Sequence, residues 1–470
     1  MKLTRRTLMQ GLAAAPALAQ SRSAAPNLLL VLSDDHSVPY LGAYGATYMA
    51  TPVLDAFARA GMRFDRSFCS APQCVPSRTA FLTGRSPVAV RMGRFNSPLP
   101  PEIITLPEVL RTLGYYTGVC GRYFHLNGVI KAGAVTQAVY DKYGLQTWKN
   151  RADYLDVSAQ TQTPAKLSEF LGKVPKGRPW FFWMNYSDPH HVWDKNAGKV
   201  DPAKIRLPAH LPDLPGVRED LAAYCGEVER MDGLFGESMD VLRRNGLEEN
   251  TLVMFIGDNG MAFPHGKGSL YDPGLNTPLM VRWPGRVKAG STTRSLVSGE
   301  DVTPTFIEAG GGKPPKEMSG RSFLGLLTGG SYQPREYIFG FRLPHGNAPF
   351  TPQTKSSTFD LSRCARSERW KLIYNCTPSM EYQPVDSARD PSWQQILAAH
   401  REGKLKPEHE RAYFQNPRPV LELFDLENDP SELNNLAGRP EVRDVERQHL
   451  MALQEKMILD YDFLPPPMSE

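Results

Sequence analysis

The sequence is poor in cysteine, with six in 470 residues. That is too few for a disulfide-stapled scaffold, and no two of them form the paired C-x-x-C of a zinc ribbon. A strong excess of one charge is also missing. The 54 Lys and Arg against 50 Asp and Glu give a formal +4, a weak hint toward acidic partners and no case for nucleic acid. Past the first 20 residues no apolar run reaches the length of a transmembrane helix, so membrane insertion is not expected. Repeats of 20 to 50 residues and low-complexity tracts are absent too, which excludes solenoids. What remains is 41% hydrophobic and 22% charged, a globular composition long enough for a large core plus a smaller domain.

The start of the chain accounts for much of the charge. Lys2, Arg5 and Arg6 precede an Ala-rich apolar stretch from Leu8 to Leu18, and Ala17-Leu18-Ala19 is an A-x-A cleavage pattern. Residues 1–19 therefore read as an export signal, and the paired arginines suit either a twin-arginine or an ordinary secretory route. A periplasmic or secreted product follows. Removing these residues takes away three basic and no acidic groups, so 51 against 50 leaves +1 on the mature chain.

One pattern recurs through the next 300 residues. Short apolar runs stop abruptly at polar clusters: Leu28–Leu32 before Ser33-Asp34-Asp35-His36, Trp180–Met184 before Ser187-Asp188-Pro189-His190, and Leu252–Ile256 before Gly257-Asp258-Asn259-Gly260. Uninterrupted runs of this length suit strands buried on both faces, hence a mostly parallel central sheet flanked by helices. Helical stretches at Pro52–Ala60, Leu106–Leu113 and Leu221–Arg244 lie between them. Ligands in such α/β sheets bind at the carboxyl ends of the strands, so the polar clusters should converge there. After Gly330 shorter strand candidates follow, at Tyr337–Phe341, Cys364–Asn375 and Val420–Asp425, then a polar helix near Glu441–Lys456. We divide the chain into a larger α/β domain, residues 20–335, and a smaller C-terminal α+β subdomain, residues 336–470.

Asp34, Asp35, Asp258 and Asn259 would bring three carboxylates and an amide carbonyl to two strand ends, a donor set for a hard cation. Either pair alone reads equally as a turn or helix cap. Cys74-Val75-Pro76-Ser77-Arg78 sets a cysteine at a helix start, where free N–H groups favour an anion; taken bare, Cys74 also reads as a small buried hydrophobe.

With Thr79-Ala80-Phe81-Leu82-Thr83-Gly84 following, the segment resembles the C-x-P-S-R-x-x-x-L-T-G motif of the formylglycine-dependent sulfatases, in the alkaline phosphatase-like superfamily. The resemblance extends over nearly the whole mature chain. It implies that Cys74 is oxidised to formylglycine by a maturation enzyme of the host, and that Asp34, Asp35, Asp258 and Asn259, with residue 74, hold calcium, or magnesium in its place. Gly121-Arg122-Tyr123-Phe124-His125 resembles the family's G-K-x-H segment with one residue added and Arg122 in place of lysine, which is not a neutral exchange. His190 and Lys267 fall on its second histidine and its sulfate-binding cation. The implied chemistry is attack of the hydrated aldehyde on sulfur, with His125 as base in the release of sulfate and His190 or Lys267 serving the leaving group; Arg78 would hold the formylglycine in place. Converting Cys74 leaves five cysteines, which cannot all pair within one chain.

Asp258 to Lys267 and Asp188-Pro189-His190 look most like the heparan N-sulfatase (sulfamidase) branch. The expected activity is hydrolysis of a sulfate ester or sulfamate on a sulfated glycan, such as N-sulfoglucosamine of heparan-type chains. Alternatives are an arylsulfatase, an O-sulfatase of another sugar, a phosphonate or phosphate ester hydrolase of the same superfamily, and a non-catalytic sulfated-glycan binder if Cys74 stays unmodified. His36, His265 and Arg363 are candidate substrate contacts; the two histidines read equally as solvated loop residues.

Overall fold

The computed structural model describes residues 25–93, 95–129, 132–345 and 359–467. The export-signal expectation, residues 1–19, lies outside them. Fourteen strands are present among the described residues: β1 (Asn27–Ser33), β2 (Met62–Phe64), β3 (Ser67–Phe68), β4 (Tyr116–Cys120), β5 (Tyr154–Asp156), β6 (Trp180–Asn185), β7 (Thr251–Gly257), β8 (Leu279–Arg282), β9 (Ser291–Thr293), β10 (Val297–Ser298), β11 (Ile338–Arg342), β12 (Ser362–Arg366), β13 (Trp370–Asn375) and β14 (Leu421–Asp425). Eight form the central sheet in the order β5-β4-β6-β1-β7-β8-β2-β9, in which β8 pairs antiparallel with both of its neighbours and the other pairings are parallel.

The apolar runs form its centre because both of their faces are covered. Every residue of β1, β6 and β7 is buried. Leu28, Leu30 and Leu32 pack on one side with Phe81, Leu82, Leu106, Leu110, Val302 and Phe306. Leu29 and Val31 pack on the other with Leu54, Phe57, Leu167, Phe170, Leu221, Val228 and Phe235. The expected helices are present at Pro52–Arg59, Leu106–Thr112 and Pro215–Arg244, the last starting six residues earlier than its apolar pattern because Pro215 opens its first turn. In register, Leu28 to Ser33 of β1 lie beside Leu252 to Gly257 of β7, so the two acidic clusters emerge side by side at the carboxyl edge.

A second sheet, antiparallel in the order β11-β12-β13-β14, is covered by the helix Arg443–Leu459 through Leu450, Leu453 and Met457. The single strand expected over Cys364–Asn375 is two strands joined by a tight turn, in which the Ser367 amide donates to the Trp370 carbonyl at 2.8 Å. Ser367, Glu368 and Arg369 interrupt the apolar pattern there, and a chain that reverses keeps both halves against the same helix. Two helices between β13 and β14, Pro391–Arg401 and Pro407–Phe414, pack Trp393, Ile396 and Tyr413 against the core beside the long helix. Among the described residues no helix is long and apolar enough to cross a membrane.

Candidate active site

Four oxygen-bearing side chains meet where β1 and β7 end. Asp34, Asp35, Asp258 and Asn259 are all fully buried. The Asp35 amide donates to Asp258 Oδ1 at 2.9 Å, and Asn259 Nδ2 donates to Asp35 Oδ1 at 2.8 Å. Asn259 Oδ1 is buried with no hydrogen-bond partner. Three buried carboxylates beside an unpartnered amide oxygen form a donor set that fits a hard divalent cation. Ligand atoms of Asp34, Asp35, Cys74 and His190 lie within 4.8 Å of one another. Asp258 faces a different partner: its Oδ2 takes Nε and Nη2 of Arg78 at 2.9 and 2.8 Å.

Cys74 is the first residue of the helix Cys74–Thr83, whose start turns toward these strand ends. Its Sγ lies 3.6 Å from Asp34 Oδ1 and 3.9 Å from Asp35 Oδ1. Burial pushes the thiol up; Lys267 opposes that shift, while Asp34, Asp35 and Asp258 add to it. As encoded, the side chain is therefore a thiol that donates to carboxylates. Arg78 lies one turn on, on the same helix face as Cys74. Besides Asp258 it reaches Asp34 Oδ2 at 3.3 Å and Asn185 Oδ1 at 2.5 Å. Burial works against the charge of Arg78, but Asp258 and Asp34 outweigh it and hold the guanidinium above its usual range.

The remaining candidates are the half-buried Arg122, His125 and His190 and the buried Lys267. Arg122, one residue past the end of the Gly121 turn after β4, brings Nη2 to 3.0 Å from Asp34 Oδ2. His125 sits on the short turn Tyr123–Leu126, with Nδ1 buried and unpartnered. Burial, with Arg78 and Arg122 nearby, keeps this imidazole well below its usual value, so it is neutral and able to accept a proton. His190 Nδ1 contacts the His191 carbonyl, and its Nε2 lies 3.3 Å from Lys267 Nζ, which leaves Nε2 as the acceptor. Lys267 Nζ is held by Asp35 at 2.8 Å and by Asp386 at 2.8 Å. Burial disfavours its charge, and these two carboxylates more than restore it.

Thus Asp34, Asp35, Cys74, Arg78, Arg122, His125, His190, Asp258, Asn259 and Lys267 gather at one edge of the sheet. Three expected substrate contacts do not share that edge's open side. His36 is fully buried, bonded through Nδ1 to Ser33 Oγ at 3.0 Å and through Nε2 to the Tyr40 carbonyl at 3.2 Å. His265 is buried with its ring stacked 3.7 Å from that of Tyr271. Arg363 is fully buried, its guanidinium in a forked pair with Asp462 at 2.5 and 2.9 Å and over Phe341. In sequence these positions have the look of solvated loop or strand start, whereas tertiary packing encloses all three. Asn185, Gln73, His345 and Asp386 were not foreseen. Asn185 was legible as the last residue of the β6 run and Gln73 as the neighbour of Cys74; His345 and Asp386 carry no local motif.

The sulfatase family model matches residues 26–312, which include all ten residues gathered at that edge but neither His345 nor Asp386. The chain belongs to the sulfatase family. A second model, N-sulphoglucosamine sulphohydrolase, C-terminal, matches residues 263–408. Among curated sulfatases, an ulvan-active sulfatase of Formosa agariphila is 30% identical over 449 residues, covering 88% of this chain and 72% of that protein. Human N-sulphoglucosamine sulphohydrolase is 29% identical over 460 residues, covering 88% and 86%. A solved structure in complex with D-glucosamine-2-N,6-O-disulfate superposes with TM-score 0.71 at 17% identity, covering 95% of this chain and 100% of that one. The phosphonate monoester hydrolase of Silicibacter pomeroyi gives TM-score 0.67 at 20% identity, covering 93% and 96%; these two likenesses establish the fold.

Proposed function

We propose that this sulfatase hydrolyses the sulfamate or sulfate ester of a sulfated sugar, N-sulfoglucosamine foremost, using residue 74 after its conversion to formylglycine. The observation that carries this reading is the place of Cys74: buried at a helix start, 3.6 Å from Asp34, one helical turn from Arg78. The match of residues 263–408 to the sulphoglucosamine sulphohydrolase C-terminal model supports the choice of sugar. Converted, residue 74 would supply a hydrated aldehyde as nucleophile. Asp34, Asp35, Asp258 and Asn259 would hold a divalent cation, calcium or else magnesium, which supplies positive charge for the sulfate oxygens.

The chain's own groups set up the rest. Arg122 and Lys267 would hold fixed positive charge beside residue 74, where negative charge builds up during transfer from sulfur. Their ion pairs with Asp34 and Asp35 hold them there without further ordering. His125, neutral and with a free Nδ1, is placed to take a proton on the Arg122 side. Lys267, paired with His190, is the donor on the other side, where a leaving amine or alcohol needs a proton. A product exported to the periplasm or beyond would meet such sugars outside the cytoplasm.

The test is a mass measurement of the Cys74 peptide from native-host protein, with hydrazide trapping of the aldehyde, followed by turnover of N-sulfoglucosamine, O-sulfated glucosamines, an aryl sulfate and an aryl phosphate. We expect aldehyde at residue 74, sulfamate or sugar sulfate cleavage ahead of phosphate, and no turnover by Cys74→Ala. An unmodified thiol with binding but no turnover would sink the catalytic reading; aryl phosphate preferred over every sulfate would move the activity to phosphoryl transfer.

A further inference from the structure

Lys267 is shared between Asp35 in the metal-side cluster and Asp386, which comes from the segment between β13 and the helix Pro391–Arg401. Beside Lys267, Gly268 leaves room for the residue that precedes Asp386: a Cβ at position 268 would fall 2.3 Å from Val385 Cγ2. Asp386 itself adopts φ 69°, a left-handed conformation that aims its carboxylate at the lysine. Its second oxygen meets His345 Nε2 at 3.3 Å. His345 Nδ1 lies 3.2 Å from Gln73 Nε2, and Gln73 is clamped to the Leu343 backbone at 2.7 and 3.0 Å. Because the Gln73 amide donates, His345 Nδ1 accepts and Nε2–H donates to Asp386. Asp386 is thus held by Lys267 and His345, and His345 in turn by Gln73, the residue immediately before Cys74.

The carboxylate nevertheless faces outward. Asp386 keeps 28% of its side chain exposed while Lys267 keeps 1% and Asp35 none. Each of its oxygens accepts one hydrogen bond from the protein and retains a further lone pair. An acceptor fixed on the open side of the buried cluster, one lysine away from the reacting centre, will pair with a hydroxyl or ammonium and repel an anion. We propose that Asp386 is a specificity-determining residue that accepts a hydrogen bond from the substituent next to the scissile sulfate, so that the enzyme selects sugars with a free hydroxyl there over sugars with a second sulfate. This inference rests on the sugar-sulfatase reading and names the substrate class of that same site.

The probes are the monosulfated glucosamine that the wild type cleaves fastest and the same sugar with a second sulfate on the neighbouring ring carbon. Wild type is expected to favour the first by about tenfold or more in kcat/KM, as expected for a site built to bond a polar substituent. Asp386→Asn loosens Lys267 and slows both sugars, so the informative quantity is their ratio, which should fall toward one. Asp386→Glu should recover part of the discrimination. A common loss with an unchanged ratio would reduce Asp386 to a support for Lys267 and overturn the proposal. Should Asp386→Asn fail to fold, the wild-type ratio alone decides, since equal turnover of both sugars also overturns it. Wild type that cleaves aryl sulfate but no sulfated glucosamine would fail at the earlier step, the sugar-sulfatase reading, and carry this one with it.

Discussion

Arg122 reaches Asp34 from a backbone conformation that few side chains adopt, φ 51° directly after Gly121 at φ 71°. The family lysine expected at this position would bring a single point charge, whereas a guanidinium offers a planar fork that can hold a carboxylate and a sulfate oxygen at once. Replacing Arg122 by alanine removes one oriented donor, and kcat/KM on a sulfated substrate should fall about 100-fold. Arg122→Lys should fall less, because the charge survives without the fork. Steady-state kinetics on both variants checks this, and unchanged rates in both would remove the residue from the chemistry. Residues such as Arg122, Cys74 and Arg78 were legible because their signal is local, a few positions apart on one turn or helix. Asp386 and His345 were not, since loops without periodicity carry them to the site, and Gln73, though next to Cys74, gains its role only from the His345 that the fold brings to it. His36 and Arg363 failed in the opposite sense: a histidine after two aspartates and an arginine at a strand start both look available, and burial with Ser33 and Tyr40, or with Asp462, shows that they are not.

Elements were easier to read than residues wherever burial was symmetrical. The runs in β1, β6 and β7 have no polar face, which is the mark of a strand covered on both sides, and all three lie centrally in the sheet. Edge strands such as β5, three residues long with a mixed pattern, gave no such signal. Glycine in a central strand is a further exception, and β4 holds one. A Cβ on Gly118 would lie 2.5 Å from Phe170 and 2.9 Å from Phe182, whose rings stack at 4.4 Å. Neither ring can give way without breaking that stack, so strand and helix approach here only because position 118 has no side chain. Gly118→Ala should destabilise the protein by about 1–3 kcal/mol through overpacking, read as a lower denaturation midpoint in urea. An unchanged midpoint would show that the helix Thr163–Lys173 can shift away from the sheet.

At the scale of the whole molecule, buried histidines tie distant parts of the chain together and make stability depend on pH. His210, in the loop before the long helix, stacks on His265 with ring centroids 5.2 Å apart, while its carbonyl accepts from Tyr413 near the end of the helix Pro407–Phe414. Burial lowers the His210 imidazole from its ordinary 6.5 to about 3, and the neighbouring His409 acts in the same direction. Between those two values the unfolded chain binds a proton that the folded chain does not. Stability from this group is therefore complete above pH 6.5 and declines as the pH falls toward 3. Lowering the pH from 7.5 to 5 should cost about 2 kcal/mol at this one site. Asp232, raised by burial to about 6, and Glu227, raised to about 7, act with the opposite sign over part of the same range. A wild-type curve alone would mix these contributions. The comparison with His210→Gln separates them, because glutamine keeps a polar side chain of similar reach without titrating, and the carboxylates are common to both proteins. Urea unfolding at pH 7.5 and pH 5 should show the wild type losing more stability than the variant by roughly that 2 kcal/mol. Parallel losses in the two proteins would mean that His210 takes up its proton in the folded state, and that the packing of this loop against His265 and Tyr413 opens to water before the rest of the molecule unfolds.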